Sequence, residues 1–134
     1  MLSYHILKVI SWLTCLMPRF VCEAAGIAIG KFAWMIVPGR RKKMAREQIK
    51  KCLQVDAQEA ERIARASTVR FGPMLFEVLR FPVIRRHMHE YVRIEGLEKL
   101  QTCMAGGKGA IIATAHSGNW ELMGGAFAMA GVPL

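Results

Sequence analysis

The sequence predicts an α/β fold, in which apolar and amphipathic helices lead into the first strands and helices of a sheet. The apolar run 110–115 is bounded by glycines, as is typical of a strand buried on both faces. Residues 91–94 alternate in polarity and predict an earlier strand, and helical patterns follow over 97–104 and 119–129. Strand and helix therefore alternate, as in a parallel α/β sheet, and Val132-Pro133-Leu134 would lead into another strand.

The chain divides into three parts by composition. Its 134 residues are enough for one small domain. We expect a membrane-associating helical segment over 1–39, basic and amphipathic helices over 40–90, and the start of the α/β catalytic core over 91–134. The strands predicted up to residue 134 are too few to enclose an active site, so we also expect an incomplete, truncated domain.

The first part is mostly apolar, but it has no uncharged run of the roughly 18 residues that a membrane span needs. Pro18 divides it into helices expected at about 4–17 and 20–36. Either both helices lie in the bilayer interface, with their charged ends reaching water, or one of them spans the bilayer. A pair of buried helices in a soluble core is the third alternative.

Positive charge is concentrated directly after this segment. The net charge is +9, and residues 40–70 hold ten basic and four acidic residues. The cluster Arg40-Arg41-Lys42-Lys43 follows Pro38-Gly39, a position from which basic residues attract anionic lipid on the cytoplasmic side of a membrane. A solvated helix face is the simpler interpretation. Nucleic acid is not an expected partner, because no aromatic residue lies in 40–70 and no zinc-finger or RNA-binding motif occurs.

A long helix is predicted after the basic cluster. Asp56-Ala57-Gln58-Glu59 is a variant of the capping box that begins helices. Apolar residues then recur at helical spacing from Ala60 to Val78. Gly72-Pro73 should kink or break this helix, and Pro82 should end it.

His116 is the candidate catalytic residue, because it follows the predicted strand at the edge where open α/β sheets place their sites. Histidine takes up protons near neutral pH, and a carboxylate can hold its second ring nitrogen. Glu121 lies five residues on, about 140° away on a continuous helix, so the two can meet only if His116 is in the loop and Glu121 in the first helical turn. Gly118 favours that bend, and Ser117 is expected to cap the helix. On spacing alone, a structural histidine remains the alternative.

The segment Gly-Lys-Gly-Ala-Ile-Ile-Ala-Thr-Ala-His-Ser-Gly-Asn-Trp-Glu-Leu at 107–122 resembles the first motif block of the bacterial lipid A biosynthesis acyltransferases, the lauroyl/myristoyl transferase family. In that family a His-x4-Asp/Glu motif carries the reaction. The resemblance implies that His116 is a general base and Glu121 its partner. Asn119 and Trp120 also match, without an assigned role. The apolar start followed by Pro-Gly and a basic helix resembles the same family.

The resemblance implies an O-acyltransferase at the cytoplasmic face of the bacterial inner membrane. A fatty acyl thioester of acyl carrier protein or coenzyme A would acylate a hydroxyl of a lipid A precursor, with no metal and no resident cofactor. Another glycolipid, such as a phosphatidylinositol mannoside, or a lysophospholipid is the alternative acceptor. A non-catalytic fragment that binds membrane surfaces is the alternative function.

Three other motifs are not expected to carry chemistry. His87-x-His89 lacks the further ligands of a metal site. The glycine-rich segment 106–109 lacks the earlier glycine and the Ser/Thr of a phosphate-binding loop. The four cysteines show no Cys-x-x-Cys spacing and are expected to be free thiols: Cys15, Cys22, Cys52 and Cys103.

Overall fold

The structure, a computed structural model, describes residues 2–107 and 109–132. Its helices are α1 (Leu2–Leu16), α2 (Arg19–Ile36), α3 (Gly39–Leu53), α4 (Ala57–Leu79), α5 (Phe81–Ile84), α6 (Met88–Tyr91), α7 (Leu97–Ala105) and α8 (Trp120–Met129), with a 3₁₀ turn at Arg85–His87. They form two compact units, Met1–Leu79 and Arg80–Leu134. The division into three parts at 39/40 and 90/91 stays a prediction of the sequence.

The predicted α/β sheet is wrong, because residues 2–107 and 109–132 contain helices and loops but no strand. A strand needs a neighbour for its backbone hydrogen bonds, and residues 110–115 run exposed, with Ile111 fully accessible to solvent. Tyr91 ends α6, and Val92 is an extended residue that follows it. Val132 is buried after α8 and donates its N–H to the Phe127 carbonyl at 3.0 Å. Pro133 and Leu134, in the last predicted strand, lie outside the described residues.

The predicted amino-terminal helices are confirmed as α1 and α2. Their outer faces expose large apolar side chains, among them Trp12, Phe20, Phe32, Met35 and Ile36. None of the described helices is by itself long and apolar enough to cross a bilayer. Taken together, α2 and α3 satisfy that criterion by length and composition, with a bend of 103° between them.

The first unit is held together by close packing of small residues between α2 and α4. Buried residues recur every four positions on α2, at Cys22, Gly26 and Gly30. The buried residues of α4 are equally compact: Ala60, Ala64, Gly72 and Pro73. A Cβ placed on Gly26 would lie 2.6 Å from the Pro73 nitrogen and 2.8 Å from the Gly72 carbonyl carbon. The two helix backbones therefore meet almost directly, which only glycine at the crossing allows.

The helix α4 begins as predicted, but it does not break at Pro73. The Glu59 N–H donates to Asp56 Oδ1 at 2.7 Å, which confirms the helix cap. The helix then runs without interruption through Pro73 to Leu79. Gly72 and Pro73 pack directly against α2 at this point, where the proline removes one backbone hydrogen bond of the helix. Pro82 lies beyond this end, in the first turn of α5, where a proline is well tolerated.

Helix α1 is fixed to the same unit by side chains that bond to backbone carbonyls. The Ser11 hydroxyl donates to the Leu79 carbonyl at 2.6 Å, at the end of α4. The buried thiol of Cys22, on α2, lies 3.6 Å from the Thr14 carbonyl. These contacts hold the inner face of α1, so its remaining apolar side chains point outward.

The second unit contains α5 to α8 and a small core. Ile84 is almost completely buried, and Ala126 and Val132 are also buried. The ring of Phe81 lies directly against the backbone of α8 at Gly125, where a Cβ would collide with it. The ring of Phe81 therefore borders the surface of α8 at Gly125.

Candidate active site

The loop that holds His116 passes into α8 through a helix cap. The Leu122 N–H donates to Asn119 Oδ1 at 3.1 Å, and the Met123 N–H donates to the Asn119 carbonyl at 3.1 Å. Asn119 is therefore the cap, and the prediction that Ser117 would take this place is wrong. Gly118 has a φ of 65°, a left-handed conformation that suits glycine and turns the chain between the two residues.

His116 and Glu121 lie in the segments that a His–Glu pair requires. His116 is in the exposed loop, and Glu121 is in the first turn of α8, where the helix dipole favours a negative charge. Within 109–132 no hydrogen bond joins the two side chains. The partner that the structure gives His116 is instead the ring of Trp120, with ring centroids 4.3 Å apart and planes inclined at 41°.

The contact between His116 and Trp120 was not predicted from the sequence, although Trp120 is part of the family-like string. An aromatic ring four residues after the histidine is too common a pattern to predict a contact. Ring packing of this kind limits the orientations of the imidazole, while residues 109–118 of the loop stay exposed to solvent. The arrangement is suited to an exposed base that takes a proton from an approaching hydroxyl group, because catalytic hydrogen bonds often tighten only in the substrate complex.

The other histidines and the cysteines lie elsewhere. His87 Nδ1 is 3.2 Å from Glu90 Oε1, and His89 Nε2 is 3.8 Å from the same oxygen. The part of the chain that the structure describes holds no group of three or more His, Cys, Asp or Glu residues arranged for a metal ion. The four cysteines lie in the described part of the chain and form no disulfide there; Cys22 is buried and Cys15 partly so, whereas Cys52 and Cys103 are exposed.

The basic cluster predicted at 40–43 forms the first turn of α3, immediately after the bend from α2. The ammonium group of Lys42 lies 4.8 Å from the centre of the Trp34 ring, so a cation–π contact joins the two helices at this bend. Farther along α3, Arg46 pairs with Glu61 of α4 at 3.0 Å. The start of α3 therefore presents its positive charge beside an aromatic ring and the exposed end of α2.

Comparison with known proteins places the chain in a family. The family model described as bacterial lipid A biosynthesis acyltransferase matches residues 1–133, and the chain belongs to this family. The chain is also similar to a phosphatidylinositol mannoside acyltransferase of Mycobacterium tuberculosis, with 40% identity over 62 residues. That match covers 44% of this chain and 20% of the length of the mycobacterial protein. No solved structure matches the chain.

Proposed function

We propose that this protein is an O-acyltransferase in which His116 is the general base. The observation that carries the proposal is the position of His116 in an exposed loop directly before α8, with Glu121 in the first turn, inside the segment matched by the family. His116 takes the proton of an acceptor hydroxyl as the oxygen attacks the thioester carbonyl. The carbon–sulfur bond then breaks, the thiol leaves, and the acyl chain remains as an ester. Glu121 orients the imidazole and stabilises the imidazolium that forms.

The substrates that we propose follow from the family and its relative. The donor is a fatty acyl thioester, carried by acyl carrier protein or coenzyme A. The acceptor is a hydroxyl of a lipid A precursor, and the similarity to a mycobacterial acyltransferase supports a phosphatidylinositol mannoside or related glycolipid as the alternative. The proposed transfer requires no metal and no resident cofactor. The imidazole takes the proton of the hydroxyl and passes it to the sulfur of the leaving thiol.

The proposal is tested by His116→Gln, introduced at the chromosomal gene so that the protein is made as the cell makes it. Membranes from this strain are assayed for acyl transfer from labelled acyl carrier protein and from acyl coenzyme A. Removal of a general base should lower the rate by about 100-fold or more. Glu121→Gln should lower it by a smaller factor. His87→Gln is the matched control, because His87 is exposed, pairs with Glu90 and lies outside the lining of the grooves on this unit. Transfer at the wild-type rate by the His116 variant would end the proposal.

A second function, binding to the surface of anionic membranes, is supported by the first unit. We propose that the exposed apolar faces of α1 and α2 enter the bilayer interface, and that residues 40–43 contact anionic headgroups at the cytoplasmic face of the inner membrane. Each basic residue near such a surface contributes about 1 kcal/mol at moderate salt. Acyl transfer to a membrane lipid would use this attachment, and so would a non-catalytic protein that binds membrane surfaces.

Vesicle flotation tests this attachment. The wild-type chain should float with vesicles that contain phosphatidylglycerol, and less of it should float as the salt concentration rises. Replacement of Arg40, Arg41, Lys42 and Lys43 by glutamine should reduce flotation on anionic vesicles to the level on neutral phosphatidylcholine vesicles. Equal flotation of the two proteins on anionic vesicles would show that these residues do not contribute to the binding of anionic lipid. Recovery of the wild-type chain only in the soluble fraction would exclude membrane attachment.

A further inference from the structure

An apolar groove with two cationic side chains lies on the second unit, along the second half of α8. Its volume is about 520 Å³, and its lining consists of Phe81, Arg85, Arg86, Gly125, Ala128 and Met129. A smaller groove of about 330 Å³ shares Arg85, Arg86 and Met129 with it. The larger volume falls in the range of about 300–1,000 Å³ that is usual for small-ligand sites. We call the larger one the α8 groove.

The two guanidinium groups of the α8 groove are available to a ligand. Arg85 and Arg86 are exposed, and neither guanidinium forms an ion pair or hydrogen bond with another described residue. Glu90, the nearest carboxylate along the chain, already contacts His87, and Glu95 pairs with Arg93 at 2.5 Å. Two adjacent unpaired guanidiniums favour an anion with several oxygens, for which phosphate is the best match among biological groups.

The rest of the groove favours a hydrocarbon chain. Phe81, Gly125, Ala128 and Met129 offer no polar side-chain atom, so the arginines supply the polar side chains of the lining. A ligand with internal amide groups, such as phosphopantetheine, would lose hydrogen bonds to water here and gain few in return. An alkyl or acyl chain loses none, and it gains burial against the Phe81 ring and the methionine. The absence of a Cβ at Gly125 is what lets the ring of Phe81 lie directly against α8 and form this wall.

We propose that the α8 groove binds a phosphorylated lipid, with the acyl chain along α8 and the phosphate on Arg85 and Arg86. Helix α8 begins beside His116 and ends at the groove, and at about 1.5 Å per residue Trp120 and Met129 are about 13 Å apart along the axis. A lipid bound here therefore lies on the same helix as the candidate base. The groove binds its ligand whether or not His116 is a catalyst, so the two proposals fail separately.

The proposal is tested by nuclear magnetic resonance with methyl-labelled methionine in the whole chain. Met129 lines the groove, whereas Met35 and Met44 in the first unit report any other binding of lipid. The Met129 signal is identified from its loss in Met129→Leu. Dodecyl phosphate is added below its micellar concentration, and dodecanol, inorganic phosphate and 4′-phosphopantetheine are added in parallel. Dodecyl phosphate should shift the Met129 signal in a saturable manner and bind about tenfold more tightly than dodecanol, because charge-assisted hydrogen bonds add to the burial of the chain.

Variants assign the binding to the groove. The double change Arg85→Gln and Arg86→Gln, at exposed positions that should not disturb folding, should weaken dodecyl phosphate binding by about tenfold. It should leave dodecanol binding unchanged. Arg93→Gln is the matched control, because Arg93 is a paired arginine outside the lining. Equal affinity for dodecyl phosphate and dodecanol, equal weakening by Arg93→Gln, or tighter binding of phosphopantetheine than of dodecyl phosphate would each overturn the proposal.

Discussion

Replacement of Gly26 by alanine tests the packing that holds the first unit together. The new Cβ would lie 2.6 Å from the Pro73 nitrogen and 2.7 Å from the Pro73 Cα, whereas carbon atoms in contact are about 3.5–4.0 Å apart. The helices α2 and α4 would therefore have to separate by about 1 Å over their whole crossing. Neither obstacle is a mobile side chain, because both atoms belong to the backbone of α4.

The expected loss of stability follows from two opposing effects. Overpacking of a core costs about 1–3 kcal/mol, and a clash between two backbones belongs at the upper end of this range. Alanine is favoured over glycine inside a helix by about 1 kcal/mol, which offsets part of the cost. We expect Gly26→Ala to lower the free energy of unfolding by about 2 kcal/mol, and this corresponds to a fall of about 1 M in the urea midpoint.

The measurement is urea unfolding followed by tryptophan fluorescence in a Trp120→Phe background. The remaining tryptophans, Trp12 and Trp34, both belong to the first unit. Gly39→Ala is the matched control, because a Cβ there meets nothing within 4 Å and the residue begins α3. That variant should be as stable as the wild type or slightly more stable. If Gly26→Ala unfolds at the wild-type urea concentration, or if both variants lose stability equally, the close crossing of α2 and α4 is refuted.

Two further predictions concern the first turn of α4. Asp56→Ala removes the acceptor of the Glu59 N–H and should cost about 1 kcal/mol in the same urea assay, with Asp56→Asn retaining most of the stability. The hydrogen bond from the Arg62 guanidinium lowers the pKa of the Glu59 carboxyl, so any stability from this pair is present above the ordinary glutamate pKa and is lost as pH falls through the lowered value. Arg62→Gln should raise the pKa of Glu59 towards its ordinary value, as measured by carboxyl carbon chemical shifts; an unchanged titration would show that the pair does not form in solution.

The helices of the first unit could be predicted because their signals are local. Pro18, Pro38-Gly39 and the Asp56 cap each mark a helix boundary within a few residues of its observed place. The sheet could not be predicted correctly, because an apolar run such as 110–115 becomes a strand only where another strand pairs with it. That pairing depends on distant parts of a chain, and periodicity does not report it.

The positions of the candidate site residues along the chain could be predicted from the sequence, but their contacts could not. The residue types and the helical pattern placed His116 in a loop and Glu121 in a first turn, and the structure has both there. Asn119, and not the predicted Ser117, caps α8. Gly118 turns the chain between these two residues, and this turn depends on one backbone angle that the sequence pattern does not report. The approach of Gly26 to Pro73 joins residues nearly fifty positions apart, and nothing local signals it.

Pro73 has a consequence for how α2 and α4 stabilise each other. A proline has no N–H, so the carbonyl of Val69, four residues earlier, lacks the donor that an α-helix normally gives it. In the folded unit this oxygen faces Gly30, where it would be the nearest atom to an added Cβ. The Cα–H groups of a glycine are weak hydrogen-bond donors, and they recur at close helix crossings. Helix α4 alone therefore has one carbonyl acceptor without its usual donor, and the contact with Gly30 of α2 stabilises the helix at the point where its own hydrogen bonding is weakest.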